Sequence, residues 1–255
     1  MVKRQRPLKR SKEDEELACK ISRIKESHPF WGYRRVWAWL RRREGLCVNE
    51  KRIYRIMKEK SLICPRKGLR KIADREPKEK PRADRINQYW GTDMTKIYVE
   101  KTGWVYVVVV LDWFSKKIVG IEAGMRSRSG DWLAPLNRAV NERFPNGVKE
   151  AGLRLVSDNG CQPTSIAYQD FCAHAGIEQI YTSYNNPRGN GDTERVIRTM
   201  KEELLWLHEW KSFEEVKNAL ESWMREYNAN YLHSAHNYRS PEEVEAGVAE
   251  KGAVA

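Results

Sequence analysis

The sequence has no long apolar run. No stretch among its 255 residues approaches the length of a membrane span, and the opening MVKRQRPLKRSKEDEE lacks the apolar region of a signal peptide. A cytoplasmic chain with no membrane partner is therefore expected. Cysteine is sparse: five, at 19, 47, 64, 161 and 172, an odd number without a CxxC pair. That argues against a disulfide framework and for reduced thiols. His28, Cys47 and Cys64 offer three zinc-type ligands without paired spacing, so core or chance placement is expected of them. Negative charge is scarce in the first third. Residues 1–86 hold 28 Lys and Arg against 12 Asp and Glu, a net of +16, whereas residues 87–255 are net −4. A basic module joined to a mildly acidic one is the balance of an enzyme anchored on nucleic acid.

What the basic third does contain is helical periodicity. Leu17, Ile21 and Ile24 are spaced for a helix over 13–27, which His28-Pro29 ends. Val36, Trp37 and Leu40 lie on one side of a second helix over 32–44, with Gly45 as its stop. Asn49 suits the N-cap of a third helix, whose apolar stripe is Ile53, Ile56 and Met57. Lys51, Arg55 and Lys58 share another face of that helix, with Arg52 beside them. Two helices joined by a short turn, the second basic, fit a helix-turn-helix that reads a major groove. A small three-helix bundle with a solvated basic face is the plainer alternative. Residues 65–86, PRKGLRKIADREPKEKPRADRI, are charged, broken by prolines and aperiodic, as in a basic linker that tracks phosphates.

From Asn87 the pattern changes. Strands are expected over 89–99, 104–111 and 116–122, the second apolar enough to be buried on both faces. A helix over 129–144, a strand over 153–157, a helix over 165–175 and a strand over 177–182 follow. Then come a polar loop, 183–192, and a helix over 193–206 opened by Asp192 or Thr193. This order describes an α/β, ribonuclease-H-like mixed five-stranded sheet with helices on both faces. The loop has one large apolar anchor, Tyr184, so it is expected to order only with DNA and metal. The tryptophans at 206, 210 and 223 read as packing rather than base-stacking platforms.

The stretch RLVSDNGCQPTS decides where chemistry is sought. Asn159-Gly160 after an apolar run is a hairpin signal. Yet the residues after it, with apolar positions at 167, 168, 171 and 172, have helical spacing. Asp158 is therefore expected at a strand mouth. Asp93 lies on the first strand and Glu194 opens the helix after the polar loop, so three neighbouring elements each carry one acid. Clustered carboxylates repel unless cations neutralise them, and hard divalent ions prefer such ligands. A pair of ions roughly 4 Å apart suits phosphodiester displacement. Asp112 is a rival first carboxylate, though it more simply starts the turn after the buried strand.

Thirty-five residues separate Asp158 from Glu194. With WGTDMTKI, LDWFSKKIVG, SDNGCQPTS and PRGNGDTERVIRTMKEE in order, and HPFWGYRRVWAWLRR and NEKRIYRIMKEKSL upstream, the chain resembles the OrfB-type DDE transposases of the bacterial insertion-sequence-three family, nearest its second-element group. The likeness runs over roughly residues 20–245. It departs at Cys161, Gly191 and Arg195, and in the tail YNANYLHSAHNYRSPEE, which lacks the family's Arg-Pro. The resemblance implies a retroviral-integrase-like core in which Asp93, Asp158 and Glu194 are catalytic and hold two Mg²⁺, with Mn²⁺ substituting. It places Lys201 and Asn190 near DNA. It further implies cutting at transposon-end duplex DNA and joining to target DNA, by a homo-oligomer on DNA in the bacterial nucleoid, with an upstream OrfA product or fusion as partner. A ribonuclease-H-like nuclease that only hydrolyses and a domesticated, non-catalytic DNA-binding regulator are the alternatives. The expected domains are a helix-turn-helix at 1–64, the linker at 65–86, the catalytic core at 87–208 and a C-terminal helical extension and tail at 209–255.

Overall fold

The computed structural model describes residues 8–64, 81–182 and 189–253. Most of the expected linker and residues 183–188 of the polar loop lie outside them. The chain divides into two compact units, Met1–Glu76 and Pro77–Ala255.

The first unit is α1 (Leu8–Ser27), α2 (Tyr33–Arg42) and α3 (Glu50–Glu59). The helix α1 starts earlier than its apolar spacing suggests, because nothing between 8 and 27 breaks a helix. Its core joins Leu17, Ile21 and Ile24 to Val36, Leu40, Ile53, Ile56 and Met57, all buried. After α2, Gly45 takes a left-handed φ of +66°, and the Leu46 amide reaches back to the Leu40 carbonyl at 2.9 Å. That is a glycine C-terminal stop. Asn49 caps α3 by accepting the Lys51 amide at 2.8 Å. His28 stacks on Trp31 with ring centroids 3.7 Å apart; burial, then the charge of Arg35, pushes its pKa down to about 4. It is a packed ring, and among the described residues no group of three His, Cys, Asp or Glu could hold a metal.

The second unit contains β1 (Tyr89–Val99), β2 (Gly103–Asp112), β3 (Ile118–Gly124), α4 (Ser129–Arg143), β4 (Arg154–Ser157), α5 (Ile166–Ala175), β5 (Glu178–Tyr181), α6 (Gly191–Met200), α7 (Phe213–Asn230) and α8 (Pro241–Ala253). The sheet order is β3-β2-β1-β4-β5. The first three strands are antiparallel, and β1–β4 and β4–β5 are parallel. Strand β2 is buried on both faces through Val107, Val108, Val109, Val110 and Leu111. On one face Trp90, Val108 and Val110 pack with Trp132, Leu136, Tyr168 and Cys172. On the other, α6 lies against β1 and β2, and α7 against β3.

Three expectations shift. Strand β3 begins at Ile118 rather than 116, because Lys116, at φ +64°, belongs to a turn in which its amide meets the Asp112 carbonyl at 2.9 Å. Helix α6 begins at Gly191 and gives way at Lys201 to a π-helical turn, Lys201–Leu205. Trp206, expected to pack, is 62% exposed, whereas Trp210 and Trp223 are buried. The C-terminal helices are tied into the sheet: the Asn228 amide brackets Ile118, accepting its N–H and donating to its carbonyl, both at 2.9 Å. From α8, Glu245 takes two hydrogen bonds from Arg143 of α4, at 2.7 and 2.9 Å.

Candidate active site

Parallel pairing sets Gly91 opposite Val156. Two residues further along, Asp93 and Asp158 come level at the carboxyl end of β4. The Asp158 carboxylate folds back to accept the Gly160 amide at 3.0 Å, an Asx turn. Asn159 donates to the Thr182 carbonyl at the end of β5, at 2.7 Å. So Asn-Gly here closes a strand mouth instead of a hairpin, and Ser165 then stands at the N-cap of α5. Glu194 lies exposed in the first turn of α6, its amide on the Asn190 carbonyl at 3.1 Å.

The other two acids act on Asp93. The Asp93 carboxyl accepts the Met94 amide at 2.7 Å. Burial pushes its pKa up to about 6, the Met94 amide opposes this, and the charges of Asp158 and Glu194 push further up while Lys201 pulls down. The strand β1, the end of β4, the start of α6 and the π turn after it thus bring four sequence-identified residues within electrostatic reach. Asp112 differs. It is fully buried, with Oδ1 accepting from the Ser115 amide (2.8 Å) and hydroxyl (3.1 Å) and Oδ2 from the Asn87 amide (2.6 Å). It starts the turn after β2.

Other sequence-identified residues are placed otherwise. Asn190 is 5% exposed and its amide donates to the Thr92 carbonyl at 3.0 Å, so it is an interior anchor and not an open DNA contact. Its side chain makes no cap hydrogen bond. On α3, Lys51 and Lys58 are exposed. Arg52 and Arg55 instead each bond Asp14 of α1 at 2.7 Å. Burial works against the Asp14 charge, yet the hydrogen bonds and charges of Arg55 and Arg52 hold it below the usual carboxylate range. Sequence reasoning missed Trp113 and Thr193, whose Nε1 and Oγ1 meet at 3.1 Å across 80 residues. Gly91 in the middle of a strand was the available signal, since such a glycine marks a close backbone approach.

An integrase core domain model matches residues 83–187, and a second integrase core domain model matches 175–241. An HTH-like domain model matches residues 11–70. The transposase InsD for insertion element IS2A/D/F/H/I/K of Escherichia coli is 27% identical over 240 residues, covering 92% of this chain and 79% of the relative. The InsD transposase for IS2-9 of strain K12 is also 27% identical, over 92% of this chain and 78% of its own. These matches support an OrfB-type DDE transposase of the insertion-sequence-three family. Among solved structures, a simian T-cell lymphotropic virus intasome in complex with PP2A regulatory subunit B56 gamma is similar in fold, with a TM-score of 0.54, 16% identity, and 81% of this chain and 73% of that chain covered. This DDE transposase thus pairs a helix-turn-helix-like unit with a ribonuclease-H-like integrase core. It is a DNA-binding protein, and among the described residues no helix is long and apolar enough to cross a membrane.

Proposed function

We propose that Asp93, Asp158 and Glu194 are the catalytic acids of this transposase and hold its divalent metal. The carrying observation is that Asp158 and Glu194, from two further elements, both raise the cost of charge on the buried carboxyl of Asp93. The donor set fits a hard cation: three carboxylates, with a repulsion on the buried Asp93 that positive charge relieves. A pair of Mg²⁺ ions, or Mn²⁺ in their place, would supply activation of the attacking oxygen and charge stabilisation at the leaving one.

In the first step a water oxygen bonds to phosphorus at the transposon end, and the 3′-oxygen leaves as a free hydroxyl. In the second, that hydroxyl oxygen bonds in line to a target phosphorus, and the target's own 3′-oxygen leaves. Neither step needs a covalent enzyme intermediate. Asp93, Asp158 and Glu194 hold the reacting phosphate's surroundings in place, and Lys201 sets positive charge at the same mouth. Lys51 and Lys58 of α3 contact duplex phosphates; Arg52 and Arg55 first keep α3 on α1. The active form is a homo-oligomer on DNA in the nucleoid, with an OrfA segment as partner or fusion.

The test is cleavage and joining on the element's own terminal repeats with an added target duplex. Joining with Mg²⁺ or Mn²⁺, and its loss in Asp158→Asn, supports the assignment. Cleavage without joining would instead favour a purely hydrolytic nuclease.

A further inference from the structure

The start of α6 is held by contacts that the acids themselves do not explain. Thr193, next to Glu194 in the chain, is fully buried and accepts the Trp113 indole N–H at 3.1 Å. Asp192 meets the Lys116 ammonium at 3.2 Å, and Lys116 also donates to the Trp113 carbonyl at 2.6 Å. Asn190 reaches the Thr92 carbonyl at 3.0 Å, one residue before Asp93. Trp113 is itself fixed, its amide on the Tyr89 carbonyl at 2.9 Å. All of this closes over Gly91. A Cβ on Gly91 would stand 2.0 Å from Thr193 Oγ1, 2.3 Å from Trp113 Nε1 and 2.9 Å from Asn190 Oδ1. No flexible chain end can yield at the first two of these contacts, so α6 would have to move.

We propose that Trp113, Asn190 and Thr193, closing over the bare backbone of Gly91, form a clamp that positions Glu194 against Asp93. This rests on the assignment of Glu194 above. The clamp fixes both the height and the rotation of the helix start. Asn190, at the N-cap, ties the helix start to β1, and Thr193, about 100° around the helix from Glu194, cannot turn without breaking its bond to Trp113. Glu194 itself stays exposed, on a helix start that these contacts tie to β1 and to Trp113. These are positioning residues; none touches the reacting atoms.

The experiment uses the full chain and compares Thr193→Val, Thr193→Ser, Gly91→Ala and Glu194→Gln. Amide exchange across 191–197 without DNA reports the clamp directly, and single-turnover joining at saturating DNA reports its consequence. Thr193→Val keeps the branched volume but loses the acceptor. It should speed exchange at 191–197 while leaving exchange in β1 and β2 unchanged, and slow joining about 100-fold, as a displacement near 1 Å typically does. DNA affinity should stay the same, and Thr193→Ser should restore both readouts. Gly91→Ala should act like Thr193→Val. Unchanged exchange in both Thr193→Val and Gly91→Ala overturns the clamp, even where Glu194→Gln abolishes joining and the site assignment stands. If Glu194→Gln joins normally, the site assignment fails, and the proposal that the clamp serves Glu194 fails with it.

Discussion

Asp93 and Asp112 sit on adjacent strands, and burial pushes both carboxyls up from the ordinary aspartate value. Their surroundings diverge. Asp112 spends its oxygens on two backbone amides and a hydroxyl at the β2–β3 turn. Asp93 accepts the adjacent Met94 amide and otherwise faces the charges of Asp158 and Glu194. Asp112 is fully buried and Asp93 partly so; partners separate a carboxylate that the fold consumes from one that it leaves under electrostatic tension. The first makes a turn. The second is where a cation or a proton must come in.

Substitution should break the pair apart most sharply. Asp158→Asn keeps shape and hydrogen bonding but removes one charge from the cluster, and joining should fall by about 10²- to 10³-fold or more. DNA affinity should not change, because the excess of positive charge lies in the first third of the chain. Wild-type joining by this variant would remove the acids from the mechanism. Asp112→Ala should do the reverse. It strands the Asn87 and Ser115 amides, and at about 1–3 kcal/mol for each orphaned donor urea unfolding should show a loss of about 2–4 kcal/mol. Joining per folded molecule should persist.

The pH dependence of stability sharpens the comparison further. Asp93 has a folded pKa near 6 against an ordinary value of 3.8. Between these values the native state holds a proton that the unfolded state has lost, so this group favours folding at low pH. That contribution fades as pH rises from about 4 through 6. At about 1.4 kcal/mol per unit, the wild type should lose up to about 3 kcal/mol relative to Asp93→Asn across that window. Mg²⁺ should restore much of it at pH 7.5 but not at pH 4.5, where the carboxyl is protonated. A flat difference between the two proteins would show that Asp93 carries no such tension.

How far these features could be read from the sequence depends on the range of the forces involved. Periodicity gave the five strands and α1 to α6, with β1 (Tyr89–Val99) to the residue, because alternation and helical spacing are local consequences of burial; α7 and α8 were expected only as an undivided helical extension. The acids were legible through the strand-loop-helix grammar around them. Tertiary pairing was not. Nothing in the text of α3 says that Arg52 and Arg55 turn inward to Asp14, since any two arginines at that spacing also suit a phosphate. Asn190 reads as a loop polar residue, and only the fold shows its amide spent on Thr92. The π turn after Met200 was equally hidden, because no glycine or proline marks it.

That inward turn of the arginines sets up a smaller test in the first unit. Lys51→Gln with Lys58→Gln should lower the salt slope of duplex binding by about two, one for each lost phosphate contact, with unfolding unchanged. Arg55→Gln should instead destabilise the unit, by about 1 kcal/mol after discounting for its partly exposed partners. If Arg55→Gln lowers the slope as the lysines do while stability holds, Asp14 releases that arginine to DNA on binding.

The smallest expected effect belongs to Lys201, at the first position of the π turn. Its charge lowers the Asp93 pKa against the two acids that raise it, so it partly stands in for a cation. Lys201→Gln should let the Asp93 pKa climb by less than about one unit. The acid limb of the joining rate should then shift upward, with a loss of a few-fold at pH 7 that shrinks at pH 8.5. Lys201→Arg, which keeps the charge, should restore the profile. A phosphate contact would behave differently, weakening DNA binding equally at both pH values and leaving the limb in place. The pH dependence of the defect therefore distinguishes a lysine that serves the acids from one that holds the DNA.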